Sequence, residues 1–267
     1  MEKIGIIAGN RKFPLLFAKE AKKKGLGTVA IAIKGDTCRS ISRLVDKVYW
    51  LDLSRFSRMF DIFKSEEVTK VVMAGQISPW RLFSKEVNND PALSALLQDL
   101  KDRRADTIFA AIASKLEEHG ITLISSTLFL EDYMPKKGQL TKNAPGFDTW
   151  EDVYFGFALA KEIALLDIGQ AVAVKNKAIV AVEALEGTDN LIRRAGIVGG
   201  RKTVIVKVSK PCQDLRFDVP VVGLNTIKTM IHAGCSCLAF EAGKTLFIDP
   251  EQSILLAQRN DISIVSV

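Results

Sequence analysis

Residues 3–14, KIGIIAGNRKFP, decide the fold. The apolar run ends at Ala8-Gly9-Asn10, two basic residues follow, and Phe13-Pro14 open a segment with apolar residues at Phe13, Leu16, Phe17 and Ala21. A buried strand followed by a 3.6-residue period predicts a strand, a ligand loop and a helix in that order. The helix closes with a basic last turn and Gly25, a usual stop signal.

Working outward, the same alternation continues to about residue 127. TVAIAI (28–33) and KVYWLD (47–52) read as strands, and RFSRMFDIFKSE (55–66) as a helix with Phe56, Met59, Phe60 and Phe63 on one face. KVVMAGQI (70–77) is a further strand ending in glycine. DPALSALL places Asp90 as a cap before Pro91 at the first helical position, a favoured start. A helix over 105–119 ends at Gly120, and ITLISS (121–126) is a strand. Strands alternating with helices predict a parallel sheet covered on both faces. Such sheets bind ligands at their carboxyl ends. Two loops fall there, Gly9-Asn10-Arg11-Lys12 and Gly75-Gln76, and the doubly wound topology allows them to form one site.

The first loop can serve a nicotinamide cofactor, a nucleotide sugar or no ligand. A dinucleotide fingerprint requires G-x-G-x-x-G, so that the pyrophosphate approaches bare backbone. Here Asn10, Arg11 and Lys12 follow Gly9, and the second and third glycines are missing. That disfavours a nicotinamide dehydrogenase. What remains is a strand, loop and helix N-terminus with exposed amides, which suits phosphate, or a plain turn.

Between about 128 and 149 the pattern breaks. EDYMPKKGQLTKNAPGFDTW holds prolines, glycines and lysines, yet also Tyr133, Met134, Leu140, Phe147 and Trp150 to pack with. It reads as a domain boundary and not a floppy linker. The expected organisation is a Rossmann-like first domain over 1–130, a boundary segment over 131–149 and an α+β second domain over 150–267. In the latter a helix (150–167) precedes two strands around Lys175-Asn176-Lys177, TDNLIRRAG is a short helix, TVIVKVSK (203–210) a strand, and SCLAFEAGKTLFID (236–249) a hairpin around Gly243-Lys244. TIKTMIHAG and EQSILLAQRN are helices.

Composition narrows the function. Lys and Arg exceed Asp and Glu by 37 to 31, a charge of +6. That mild excess suits an anionic substrate or membrane surface, and equally a solvated basic surface. It is too dispersed for a nucleic-acid partner, and no recognition helix is evident. Of four cysteines only Cys235 and Cys237 are close, with His232 near and His119 remote. This is too few ligands for a zinc site, so buried thiols in a reducing cytosol are expected. No secretory leader precedes Gly9, and no run approaches the ~20 apolar residues of a spanning helix. A cytoplasmic location follows as the expectation, with a peripheral role at the membrane open.

Two segments carry chemistry. In EALEGTDNLIRRAG (183–196), Thr188 is a candidate N-cap and Asp189 falls in the first turn. One reading is a well-capped surface helix. In the other, Glu183, Glu186 and Asp189 hold a divalent ion while Arg193 or Arg194 engages phosphate. In KPCQDLRFDVPVVGLNT (210–226), Asp214 and Asp218 flank Leu-Arg-Phe in a loop with Pro211, Pro220 and Gly223. Carboxylates for a metal or water, with Lys210 and Arg216 for phosphate oxygens, are what a magnesium-assisted phosphoryl site needs. The plain alternative is a surface ion pair.

With these residues in place, the sequence resembles the UDP-2,3-diacylglucosamine pyrophosphatases of the LpxI type. The resemblance is collinear over essentially the whole chain. It is carried by IGIIAGNRKFP, VVMAGQI, LEDYMPKKGQLTKNAP, VEALEGTDNLIRRAG and KPCQDLRFDVPVVGLNTI. Many members have glycine where Asn10 and Lys12 stand. The resemblance implies magnesium-dependent hydrolysis of UDP-2,3-diacylglucosamine to UMP and 2,3-diacylglucosamine 1-phosphate (lipid X), a step of lipid A biosynthesis. It implies substrate bound between two domains, a homodimer, and an essential aspartate in the second domain, carried onto Asp214 or Asp218. On this reading Asp214 and Asp218 are catalytic and bind Mg²⁺, with Glu183 and Asp189 as further metal candidates. Gly9, Asn10, Gly75, Gln76, Thr188, Arg193, Lys210 and Arg216 contact substrate. The two acyl chains require an apolar cleft, with exposed apolar residues in the second domain. The rival is a non-catalytic nucleotide-sugar or lipid-binding module on the same fold.

Overall fold

Buried runs set between amphipathic segments build, in the first unit, a sheet of five parallel strands. These are β1 (Lys3–Ala8), β2 (Gly27–Ile33), β3 (Lys47–Leu51), β4 (Lys70–Ala74) and β5 (Thr122–Leu123), in the spatial order β3-β2-β1-β4-β5. The computed structural model describes residues 2–77, 81, 89–102, 104–216 and 218–267. Strand order reverses between β1 and β4, which is where doubly wound sheets open a crevice at their carboxyl ends. The expected strand over 121–126 is shorter, because only Thr122 and Leu123 pair with β4.

Alternation along the strands sends side chains to opposite faces. Ile7, Val29, Ile31, Ile33, Val71 and Met73 pack in one cluster with Met59, Phe60 and Phe63 of α2 (Arg58–Ser65). Leu93 and Leu97 of α3 (Pro91–Gln98) and Ile108, Ile112 and Leu116 of α4 (Ala105–Glu118) join that cluster. Helix α1 (Phe13–Lys23) starts at Phe13-Pro14, buries Phe17 and Ala21, and ends in Lys22 and Lys23. Asp90 caps α3 by accepting from the amide of Leu93 at 3.1 Å, and it also holds the amide of Ser57 at 2.7 Å.

The second unit comprises Glu131–Gln213 and Val219–Val267. Its sheet runs β6 (Gly138–Gln139), β13 (Ser263–Ser266), β11 (Cys237–Phe240), β9 (Val204–Lys207), β7 (Ala171–Lys175) and β8 (Ala178–Val182). Strands β9, β11 and β13 are parallel, and β6, β7 and β8 each pair antiparallel with their neighbour. One face carries Ala173, Ile205, Leu238 and Ile264 against Leu191 and Ile192 of α6 (Thr188–Gly199) and Ile227 and Met230 of α7 (Leu224–Ala233). The other carries Val172, Val206 and Val265 against Val153, Ala160 and Ala164 of α5 (Phe147–Leu165). Helix α8 (Pro250–Gln258) follows a separate two-stranded pair, β10 (Val221–Gly223) and β12 (Leu246–Ile248).

The β7–β8 turn falls at Asn176 and Lys177, both with positive φ (50° and 57°), the geometry a two-residue hairpin favours. The buried Asp152 carboxylate takes both amides, at 3.0 Å and 2.6 Å. The expected 236–249 hairpin does not form. Strand β11 lies in the large sheet and β12 pairs with β10, because each buried run finds a parallel partner elsewhere.

The units do not follow the chain. Asp214–Asp218 belong to the first unit, with residues up to Leu130, whereas the sequence reading placed both aspartates in the second domain. The Ser126 amide donates to Leu215 O at 2.8 Å. The Ser126 hydroxyl, fully buried, lies 2.5 Å from Met73 O of β4 and 2.6 Å from Arg216 O.

Candidate functional site

Strand β1 ends at Ala8 and β4 at Ala74, and their paired register puts the following loops side by side. The amide of Gly9 donates to Ala74 O and that of Asn10 to Gln76 O, both at 2.8 Å. The packing leaves no room for side chains. A Cβ on Gly9 would lie 2.7 Å from the Gln76 backbone, and one on Gly75 would lie 2.5 Å from Asn10 O. Gly75 also has φ +80°, a conformation that glycine alone adopts without cost. The structure therefore brings together Gly9, Asn10, Gly75 and Gln76 at the sheet's switch point.

The Asp214–Asp218 segment hangs from the same edge. Its anchor, Ser126, follows β5, and that anchor reaches Met73 near the carboxyl end of β4. Within the segment the Asp218 amide donates to Asp214 O at 3.1 Å. The Asp214 carboxylate takes the Arg216 amide at 3.0 Å, its Nε at 3.0 and 3.1 Å, and its Nη2 at 2.7 Å. The guanidinium bonds, set against partial burial, hold the Asp214 carboxyl below its ordinary 3.8. It is ionised through the neutral range. Phe217, between the two aspartates in the motif, lies outside the described residues.

Glu183, Thr188 and Asp189 sit in the second unit, all buried. Thr188 is not the N-cap. Gly187, with φ +79°, occupies that position, and Thr188 is the first helical residue. Its hydroxyl is thereby released for another partner, and donates to Glu183 Oε1 at 2.7 Å. The Lys207 ammonium donates to Thr188 Oγ1 at 2.5 Å and stands 3.9 Å from Glu183 Oε2. An ammonium can only donate, so the one hydroxyl proton of Thr188 points at Glu183. Asn225, at the start of α7, donates to Asp189 Oδ2 at 2.7 Å. Lys210 pairs with Asp167 at 2.5 Å, and Arg193 is exposed and bonded to Asn190 at 2.7 Å. Arg194 takes Glu186 and Val182 O instead.

Three participants escaped the sequence reading. Ser126 gave no signal beyond its place at the end of the expected strand over 121–126. Asn225 was read only as part of a loop. Lys207 did leave one, since it is the only charge inside the apolar run TVIVKV.

Family models for the LpxI N-terminal domain and the LpxI C-terminal domain match residues 3–133 and 136–265. The chain belongs to the LpxI family. One relative, named UDP-2,3-diacylglucosamine pyrophosphatase LpxI, from Caulobacter vibrioides, is 26% identical over 287 residues. That alignment covers 100% of this chain and 98% of the relative. Solved structures are more distant. The biotin carboxylase subunit of pyruvate carboxylase aligns at a TM-score of 0.29 and 14% identity, covering 68% of this chain and 36% of that one. An N5-carboxyaminoimidazole ribonucleotide synthetase from Thermotoga maritima aligns at 0.24 and 18%, covering 70% and 43%. At these scores neither bears on function.

Among the described residues no three His, Cys, Asp or Glu side chains cluster to hold a metal. Magnesium does not require such a cage. It binds through one or two carboxylates, keeps several waters and uses substrate phosphates. The donor set of Asp214, Asp218, Glu183 and Asp189 is all oxygen and fits on chemistry. The two pairs lie in different units. Among the described residues, no helix is long and apolar enough to cross a membrane.

The buried Lys207–Thr188–Glu183 chain predicts a stability effect. Lys207→Met leaves the Glu183 carboxylate buried without its cation, which costs about 3 kcal/mol. Chemical denaturation should show that loss in the midpoint, with an unchanged slope.

Proposed function

We propose that this LpxI-family chain hydrolyses the pyrophosphate of UDP-2,3-diacylglucosamine, releasing UMP and 2,3-diacylglucosamine 1-phosphate in lipid A biosynthesis. The observation that carries the reading is the attachment of the Asp214–Asp218 segment, through Ser126 and Met73, to the sheet edge that bears Gly9 and Gly75. At that edge Gly9 and Gly75 let the two loops pack closely, and the segment adds two acids and a guanidinium for the diphosphate.

In this mechanism Asp218 orients the attacking water. Both Asp214 oxygens are already taken by Arg216, so Asp214 acts by holding the guanidinium toward the diphosphate. Arg216 balances phosphoryl charge, and Lys210, drawn to Asp167, is a weaker candidate for that task. Bound Mg²⁺ would supply charge neutralisation at the phosphoryl oxygens, with Asp218 of the first unit, or Glu183 and Asp189 of the second, as the carboxylates that would hold it. Water attack then breaks one P–O bond of the bridge, and the proton from water ends on a phosphate product.

The acyl chains need apolar surface. The large apolar side chains that are exposed among the described residues, including Phe147, Tyr154, Leu165, Leu166 and Ile197, all lie in the second unit. Together with the charge of +6, they support brief contact of a cytoplasmic enzyme with an anionic bilayer surface.

The test is incubation of purified protein with UDP-2,3-diacylglucosamine and Mg²⁺, following UMP by chromatography. Release of UMP that stops on chelation supports the reading. Tight binding without UMP would replace it with a non-catalytic carrier.

A further inference from the structure

Glu241 leaves the end of β11 and is buried, with 8% of its surface exposed. Its Oε2 accepts from the Ser209 amide and from the Ser209 hydroxyl, each at 2.8 Å. Lys161 of α5 donates to both carboxylate oxygens at 3.2 and 3.0 Å, and Lys244 adds a contact at 3.0 Å. Lys161 also donates to Ser209 O at 2.8 Å. Every polar group of Ser209 is thus tied to one carboxylate or its lysine. Ser209 itself is wholly buried.

The next residue is pinned as well. Lys210 pairs with Asp167, just beyond the end of α5, and its amide donates to the Gln213 side chain at 2.8 Å. Asp167 holds a left-handed φ of +57°, which costs about 1 kcal/mol in a residue other than glycine. From residue 210 the chain runs through Pro211 and Cys212, both exposed, to Gln213, bonded to the Lys210 amide, and on to Asp214.

We propose that Glu241 is a positioning residue for the hydrolytic reaction: it fixes the root of the loop that carries Asp214, Arg216 and Asp218. The inference rests on the role given to that loop above. A carboxylate is required there because two lysines and two Ser209 donors converge on it. Burial alone would raise its pKa, and the Ser209 and Lys161 hydrogen bonds outweigh that and hold it below the ordinary 4.5. A neutral amide of the same shape keeps the volume but presents its own NH₂ to some of these donors.

Glu241→Gln is therefore expected to lower kcat about tenfold with KM nearly unchanged, since loose positioning costs the transition state and not ground-state binding. Amide exchange in a peptide covering residues 210–216 should quicken in parallel, ahead of the rest of the second unit. Ser209→Ala, which keeps the Lys161–Glu241 pair, should show a smaller effect of the same kind, and it decides the matter if Glu241→Gln does not fold. Exchange over 210–216 at the wild-type rate in the folded variants overturns the proposal, even where the melting temperature falls. So does wild-type kcat. If the wild-type protein releases no UMP, the functional reading fails, while exchange still decides whether Glu241 holds the loop.

Discussion

Asp218→Ala should lower kcat for UMP release by roughly 10²–10⁴-fold, the range lost when a positioned proton acceptor is removed. KM should change little, because the Arg216 guanidinium remains. Asp214→Ala should be less severe and should raise KM as well. Its carboxylate is spent on Arg216 through four contacts, so its loss frees the guanidinium instead of the water. Steady-state kinetics on both variants, with circular dichroism to verify folding, separate the roles. Equal and near-normal turnover in the two would remove the loop from the mechanism.

Gly75→Ala carries the second large effect, and it acts through the backbone. Two costs add. A φ of +80° is unfavourable for alanine by about 1–3 kcal/mol. The new methyl carbon would also sit 2.5 Å from Asn10 O and 3.1 Å from Pro14, an overlap that only backbone movement relieves, at a further ~1–3 kcal/mol. Thermal unfolding should therefore fall by on the order of 10 °C. The displaced Asn10 loop should weaken UMP binding, read by calorimetry. Gly120→Ala is the control. It shares a positive φ of +73° with open space around it, so it isolates the conformational cost from the clash. If the two variants melt together, the close approach of the β1 and β4 loops contributes nothing.

Much of this was legible from local pattern. The buried runs at 3–8, 28–33 and 70–74 became adjacent parallel strands. The Asp90-Pro91 start became a capped helix. The missing glycines after Gly9 separated the first loop from a dinucleotide fingerprint. The misreadings are equally physical. Thr188 has the chemistry of an N-cap, but Gly187 supplies the entry turn and Lys207 claims the hydroxyl. The strand at 246–248 follows 237–240 closely enough to suggest a hairpin, yet a better-matched partner lies at 221–223. The pairing of Lys210, read as a cation for the diphosphate, with Asp167 had no signal in the sequence.

Hydrophobic period, turn residues and caps act over a few positions, so the sequence by itself determined the alternation of strands and helices in the first unit and the two edge loops near Gly9 and Gly75. Only the tertiary structure decided that Asp214–Asp218 join the first unit through a hydrogen bond spanning 90 positions to Ser126, and that Glu241 grips Ser209 across 32. No local propensity encodes such pairings. They form because a buried carboxylate, hydroxyl or carbonyl must find a partner wherever packing brings one within reach.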